Sequence, residues 1–426
     1  MKSLPLYIGL LLPCLSLLIP VPALPSISLD EWICVISLPF TLILMPWRHH
    51  KTVFWIIVSA TVMSVINFGL FRFTAEWAVQ VINILAFFSF FAFAMHRLDG
   101  DKERIGRVFT RVFIAYTLVG VSYIVLYYAA QDVLIAITVS LGQSNTAGAG
   151  IVGMRYTSLF IEPSHYVQFG AFAATYFIFR SLRGPRAATA LLALLAVATL
   201  VLTRSALAIP AVLFPIALFV VLRLFSKAGL ASTAILAGLV LAQLQFSILP
   251  EEVSKRFSDL IVATLGGSDL TEVNATSGSL ALAYKIAGKT IVDTSGAGIG
   301  LGAYNQAFRI HATPEEAEHF YNQTGGGSLL IRILTELGVP ALLAAGLLSL
   351  AYLPLGHRFP DTETAMRWAA FAVIAISALR LEGYTTGLLP FAILLAFSPA
   401  PSLVRSKRHG APLVLARGIT PHVHKK

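Results

Sequence analysis

Between two apolar segments, each long enough to cross a lipid bilayer, lies the stretch Gly153-Met-Arg-Tyr-Thr-Ser-Leu-Phe-Ile-Glu-Pro-Ser-His165. Pro163 is well placed to open the second segment as a helix, because its fixed φ suits a first turn and its missing N–H is not needed there. Arg155 and Glu162 then lie just before a helix N-terminus, whose unpaired N–H groups attract anions. The stretch is either a cationic, anion-binding corner suited to a phosphate-bearing lipid or a solvated loop at the membrane surface.

The composition of the whole chain indicates a polytopic membrane protein. Of its 426 residues, 57% are hydrophobic and only 12% are charged, about half the charge of an ordinary soluble domain. Cys14 and Cys34 both fall in apolar runs, so neither a disulfide framework nor a thiolate metal site is predicted. The run 4–24 resembles a signal peptide but is long for one, and we interpret it as an uncleaved first span.

The hydropathy pattern predicts an all-α protein with about twelve transmembrane helices, each needing about 20 mostly apolar residues. The predicted spans lie near residues 4–24, 29–47, 53–71, 77–95, 112–130, 163–179, 187–202, 205–222, 229–249, 329–353, 365–379 and 385–397.

The distribution of basic residues predicts the topology. Twelve spans place both termini on one side of the membrane, and 21 of the 31 basic residues lie in the loops, span ends and tail of that side. By the positive-inside rule both termini, including the basic tail 399–426, are cytoplasmic. The net charge of +10 is therefore mainly a topology signal, and nucleic-acid binding is not predicted.

Two segments on the far side are too long to be turns. Residues 1–249 hold nine spans with a far-side segment at 131–162, residues 250–328 form a large loop, and residues 329–398 hold the last three spans. Long loops without regular structure are uncommon unless they are functional. Within the large loop, the pattern predicts an amphipathic helix at 251–265, a helix at 280–292, and a short helix from Pro314 with Thr313 as its cap.

The far side also carries the residues predicted to do chemistry. Arg204 and Arg380 are flanked closely by apolar spans, and such residues tend to face a bundle interior or a water-filled cavity, although Arg204 could also snorkel to the interface. Arg332 is either a substrate contact or a simple i,i+4 partner of Glu336. The candidate acid/base groups are Glu162 and His165. The candidate substrate-binding residues are Arg155, Arg204, Arg309, His311, Arg332 and Arg380.

Other chemistries find little support in the sequence. Gly298-Ile-Gly300-Leu-Gly302 has no preceding strand, so it is not a dinucleotide-binding fingerprint. No spacing of His, Cys and Asp suggests zinc, and no Gly-x-Ser-x-Gly elbow occurs. No metal or cofactor is predicted.

The opening stretch, Arg155-Tyr-Thr-Ser-Leu-Phe-Ile-Glu-Pro-Ser-His165, resembles the "R…G/S-x-F-x-EPS" segment of Wzy-type polysaccharide polymerases in the bacterial O-antigen ligase/polymerase superfamily. Leu202-Thr-Arg-Ser205 resembles the family's short periplasmic turn. Gly296-Ala-Gly-Ile-Gly-Leu-Gly-Ala-Tyr304 resembles its "GxGxGxF" element, and Ser328-Leu-Leu-Ile-Arg-Ile-Leu-Thr-Glu-Leu-Gly338 resembles its "L…E-x-G" span. Where ligases often carry His-Asn, this chain reads Gly325-Gly-Gly327, which favours a polymerase.

The resemblance implies a GT-C-like glycosyltransferase of the bacterial inner membrane, acting on undecaprenyl-diphosphate-linked oligosaccharide at the periplasmic face without nucleotide sugar or metal. It also implies contact with membrane lipids, a chain-length regulator and a flippase. The first alternative is an O-antigen ligase that transfers glycan to lipid A core. The second is a multi-pass transporter or lipid-sugar flippase. The long loop argues against this class, and so does the absence of paired Gly/Pro-broken segments in matching halves of the sequence.

Overall fold

The computed structural model describes residues 2–15, 29–44, 58, 75–140, 156, 158–160, 163–184, 186–205, 207–222, 275–319, 326–354, 361–380 and 383–397. These residues form helices and turns and no strand, which confirms the all-α prediction for this part of the chain. The predicted spans 53–71 and 229–249, the amphipathic helix 251–265, the tail 399–426, and both Arg155 and Glu162 lie outside the described residues, apart from Val58 in the first of these spans.

Fourteen helices are discussed in this part of the chain. They are α1 Leu4–Leu15, α2 Leu29–Leu44, α3 Ala75–Arg97, α4 Lys102–Ala129, α5 Gln131–Ser140, α6 Pro163–Arg183, α7 Ala187–Leu202, α8 Ala208–Leu222, α9 Ala275–Asp293, α10 Tyr304–His311, α11 Pro314–His319, α12 Leu329–Tyr352, α13 Thr362–Arg380 and α14 Leu389–Ala396.

Among the described helices, α3, α4 and α12 are long and apolar enough to cross a membrane. Helices α1, α7 and α8 are apolar but shorter. The structure thus supports a membrane protein. Several helix boundaries differ from the predicted spans; α4, for example, begins at Lys102 rather than at 112. Two of the differences have a local reason: a turn at Thr203–Ser205 delays the start of α8, and Gly387, with φ +59°, lies in a turn before α14. Helix α5 occupies the first part of the segment predicted as a far-side connection.

The core is an aromatic seam around α6, which packs against α7, α8 and α13. Phe109 of α4 lies against Phe169 and Phe172 of α6, with ring centroids 4.8 and 4.4 Å apart. On another side of α6, Gly170 permits close packing against α7, because a Cβ there would come within 2.6 Å of the Leu200 side chain. Small residues at such crossings let helices approach closely in a membrane protein.

Polar contacts show which helix ends meet at each end of the bundle. At one end, Lys2 lies 3.9 Å from Asp99, and Arg180 at the end of α6 contacts both Glu103 of α4 and Thr362 of α13. We call this the basic end, defined by Lys2, Arg97, Arg104, Arg107 and Arg180. At the opposite end, Ser328 donates a hydrogen bond to the Ala378 carbonyl, which joins the start of α12 to the end of α13. Helices α6 and α12 therefore both start at the end opposite the basic end, and α13 runs in the reverse direction.

The predicted cap of the short helix α11 is confirmed. The Thr313 hydroxyl accepts a hydrogen bond from the Glu316 N–H at 3.3 Å, and the Glu316 carboxylate accepts one from the Thr313 N–H at 2.9 Å. This reciprocal arrangement is a capping box. Lys285 of α9 also contacts Glu316, with Nζ 2.6 Å from Oε1, so the cap attaches α11 to α9.

We expect α11 to loosen in acid. Burial raises the pKa of Glu316, but the hydrogen bonds from Lys285 and Thr313 outweigh it and hold that pKa below the ordinary value of 4.5. A lowered folded-state pKa contributes stability above pH 4.5, which is lost as the pH falls through the folded value. Glu316→Gln should destabilise α11 by about 1 kcal/mol at neutral pH and abolish this pH dependence. Amide hydrogen exchange of residues 315–318 measures it, with Glu315→Gln as the control; equal exchange in both variants would contradict the prediction.

Candidate functional site

A cavity of about 170 Å³ lies at the end of the bundle opposite the basic end. Its wall carries two carboxylates, an imidazole, an amide and two hydroxyls, together with apolar groups. This combination of apolar surface with a few convergent polar groups is typical of ligand sites. The lining residues are Pro13, Asp30, Glu31, Phe87, Phe160, His165, Gln168, Thr385, Thr386 and Gly387.

Helix α6 places His165 in this wall. The helix begins at Pro163 as predicted, so His165 lies in its first turn, where it is half-buried. One turn further on, the buried Gln168 donates to the Ser377 hydroxyl at 2.7 Å and accepts from the Leu388 N–H at 3.2 Å. Gly387 leaves the room that Gln168 needs, because a Cβ there would overlap the Gln168 side-chain oxygen. Gln168 therefore fixes the orientation of α6, and of His165 with it.

The two carboxylates of the cavity were not among the site residues predicted from the sequence. Asp30, 8% exposed, and Glu31 lie at the start of α2. The Glu31 carboxylate accepts a hydrogen bond from the Asn83 amide of α3 at 2.8 Å. Acidic residues in a first helical turn are ordinary partners of the helix dipole, so nothing local distinguishes this pair. Its position beside His165 depends on packing between helices.

Arg204 is presented on a strained turn between α7 and α8. Its φ is +48°, a conformation that is uncommon for residues other than glycine. The turn is held by the Thr203 hydroxyl, which donates to the Leu200 carbonyl at 2.6 Å, and by the Tyr156 N–H, which donates to the Leu202 carbonyl at 3.0 Å. Arg204 itself is exposed. Strained backbone of this kind is often found at functional sites.

The glycine-rich segment and the predicted Glu-x-Gly element form one unit. The Gly300 N–H donates to the Glu336 carbonyl at 2.7 Å, and the Val339 N–H donates to the Gly296 carbonyl at 2.8 Å. Gly338 interrupts α12 with φ 78° and ψ −174°, which opens its backbone to this pairing. We call residues 296–302 together with 335–339 the glycine junction.

A buried carboxylate stabilises the glycine junction. Glu336 is fully buried and accepts hydrogen bonds from the Gly302 N–H at 2.9 Å, the Tyr384 hydroxyl at 3.0 Å and Arg332 Nε at 2.8 Å. Arg332 also donates to Gln80 and lies over the Tyr384 ring. Arg332 thus forms the predicted i,i+4 pair with Glu336, and this pair belongs to a larger hydrogen-bond network that includes Gln80 and Tyr384.

The other predicted site residues in the described part of the chain are not among the residues that line the cavity. Arg380 is half-buried at the end of α13, and Arg309 is exposed on α10. Burial lowers the pKa of His311 below 6.5, and Lys289 adds to this while Asp293 opposes it. The charged imidazolium is therefore disfavoured at His311, which makes it a weaker ligand for a diphosphate than an arginine. Among the described residues, His165 is the predicted site residue that lines the cavity.

Comparison with protein-family models, with curated proteins and with solved structures found no match. Within the described ranges, no group of three His, Cys, Asp or Glu side chains is arranged to hold a metal ion. The functional conclusion therefore depends on the polar cavity, the exposed Arg204 and the glycine junction.

Proposed function

We propose that this chain is an inner-membrane glycosyltransferase that polymerises undecaprenyl-diphosphate-linked oligosaccharide repeat units on the periplasmic face of the membrane. The observation that carries the proposal is the convergence of three separate motif regions at one end of the bundle. Hydrogen bonds from Gln168 to Ser377 and from Ser328 to Ala378 join the cavity end of α6 to the start of α12. The Tyr156–Leu202 hydrogen bond brings the Arg204 turn to the same end.

The site chemistry suits transfer from a lipid diphosphate. An acceptor hydroxyl attacks the anomeric carbon of the donor sugar, a glycosidic bond forms, and the bond to the diphosphate breaks. Arg204, with Arg155, is suited to hold the departing diphosphate, because the guanidinium fork binds phosphate oxygens bidentately and keeps its charge. The hydroxyl proton passes to a base within hydrogen-bond reach, for which His165 and Glu162 are the candidates.

The proposal includes the finer topology: about twelve transmembrane helices in a GT-C-like arrangement, with both termini cytoplasmic. It is supported by the clustering of Lys2, Arg104 and Arg180 at the basic end, since basic residues are enriched on the cytoplasmic side. The cavity then faces the periplasm, where lipid-linked repeat units are polymerised in the resembled family.

Two alternatives remain distinguishable by experiment. An O-antigen ligase would use the same donor but a lipid A core acceptor, and Gly325-Gly-Gly327 in place of His-Asn favours the polymerase. A transporter or flippase would move its substrate without forming a bond. Purified protein in lipid vesicles should therefore convert lipid-linked repeat units into longer chains and release undecaprenyl diphosphate. Transfer only to lipid A core would indicate the ligase, and no bond formation with either acceptor would contradict a glycosyltransferase.

Arg204→Gly removes the guanidinium charge but preserves the positive φ that the turn requires. Glycine adopts positive φ without strain, so this variant should be at least as stable as the wild type. Loss of one guanidinium contact to the leaving diphosphate should nevertheless lower the polymerisation rate about a hundredfold. Arg204→Lys should recover the rate only in part, because a point charge replaces a planar fork. Chain length is measured at matched membrane abundance, and wild-type output from Arg204→Gly would remove Arg204 from the site.

A further inference from the structure

The polar groups of the cavity indicate which part of the reaction it serves. Asp30 and Glu31 contribute two carboxylates to its described lining, together with Gln168, Thr385 and Thr386. Phosphate groups are recognised chiefly by cationic side chains, above all arginine, whereas carboxylate, amide and hydroxyl groups suit a polar ligand with hydroxyl donors. Arg204 is exposed and lies outside the described lining.

The same groups are suited to a ligand that donates hydrogen bonds. An ionised carboxylate is purely an acceptor with two oxygens, and hydrogen bonds to charged acceptors are stronger than neutral ones. Asn83 holds Glu31 in place at 2.8 Å. Phe87 and Phe160, each 2% exposed, supply apolar wall. Hydroxyl donors next to an apolar C–H face are the defining surface of a neutral sugar.

We propose that this cavity is the acceptor subsite, where Asp30 and Glu31 bind hydroxyl groups of the neutral sugar that receives the growing chain. This inference rests on the proposed glycosyltransferase function and assigns its two substrates to different places. The acceptor sugar enters the cavity beside His165, and the donor diphosphate is held by Arg204, which lies outside the described lining. Asn83 is a positioning residue, since it acts through Glu31.

The volume of the cavity agrees with a single sugar unit. Sites for drug-sized ligands usually enclose about 300–1,000 Å³, so a cavity of about 170 Å³ suits one ring rather than a whole repeat unit. Gln168 also lines the cavity, and its side chain is hydrogen-bonded to Ser377 and to the Leu388 N–H. Specificity for the acceptor ring then depends chiefly on the two carboxylates and on Thr385 and Thr386.

The test is equilibrium binding of the repeat-unit oligosaccharide, released from its lipid diphosphate, to the full-length protein in detergent. Glu31→Gln keeps the shape of the side chain and removes its charge, and it should weaken oligosaccharide binding about tenfold. Asn83→Leu should weaken it less, by about threefold, because Glu31 remains but loses its orientation. Ser37→Ala on the same helix is the matched control. The Ser37 hydroxyl donates locally to the Cys34 carbonyl and does not line the cavity, so this variant should bind the oligosaccharide as the wild type does.

Turnover in vesicles distinguishes the two proposals. If the inference holds, Glu31→Gln raises the KM for free oligosaccharide acceptor about tenfold and leaves the KM for the lipid-linked donor unchanged. An unchanged acceptor KM and unchanged binding would overturn the acceptor subsite while leaving the glycosyltransferase intact. A wild-type protein that forms no bond would overturn the function, and the binding measurement would still decide the ligand. Sodium binding lost in Glu31→Gln, with sugar binding unaffected, would show a cation site and overturn the inference.

Discussion

Replacing Arg332 with alanine should destabilise the glycine junction by about 3–5 kcal/mol, the usual cost of removing one partner from a buried ion pair. Glu336 has no exposed surface, and Arg332 is 12% exposed at its side chain. Without Arg332 the buried carboxylate loses its cationic partner and keeps the hydrogen bonds from the Gly302 N–H and the Tyr384 hydroxyl. The free energy of local opening, from amide hydrogen exchange at residues 296–302, measures the effect.

A double variant identifies the cause of that loss. Arg332→Met combined with Glu336→Gln removes both charges but keeps an acceptor for the Gly302 N–H, so most of the stability should return. Arg309→Ala is the matched control, because Arg309 is exposed on α10 and surface substitutions usually change stability by less than about 0.5 kcal/mol. A loss below about 1 kcal/mol in Arg332→Ala would show that Arg332 is not needed for the junction and would favour its reading as a substrate contact.

Gly338→Ala should be at least as disruptive. Its combination of φ 78° and ψ −174° is essentially restricted to glycine, and strain in such regions costs about 1–3 kcal/mol. In addition, a Cβ at Gly338 would overlap the Gly296 carbonyl oxygen and the Ala297 backbone. The neighbouring atoms are main chain, so relief requires separation of the glycine junction. We expect a total loss above about 3 kcal/mol, together with loss of polymer synthesis.

The control for Gly338→Ala lies eight residues further along α12. A Cβ at Gly346 meets no atom within 4 Å, and alanine is favoured over glycine in a helix by up to about 1 kcal/mol. Gly346→Ala should therefore be neutral or slightly stabilising. Thermal unfolding in detergent and hydrogen exchange at residues 296–302 compare the two variants. A Gly338→Ala protein with wild-type protection would mean that the interruption of α12 is not required.

Several local features of this protein were predictable because their causes lie within a few residues. Helix α6 begins at Pro163, and α11 begins after the Thr313 cap. The predicted helix at 280–292 lies within α9. Proline, capping hydroxyls and apolar length act through adjacent backbone, so one segment is enough to reveal them. His165 was singled out by the same means, from its place in the first turn of an apolar helix.

The tertiary structure alone decided which distant groups meet. Asp30 and Glu31 share a cavity with His165, although α2 and α6 are far apart in the sequence. Arg332 and Glu336 were predictable as an i,i+4 pair, but Gly302 and Tyr384 complete their network only through folding. A carboxylate at a helix start has the same local pattern whether it caps that helix or faces a ligand. Its role depends on the neighbours that helix packing brings to it, because burial and charge act through space.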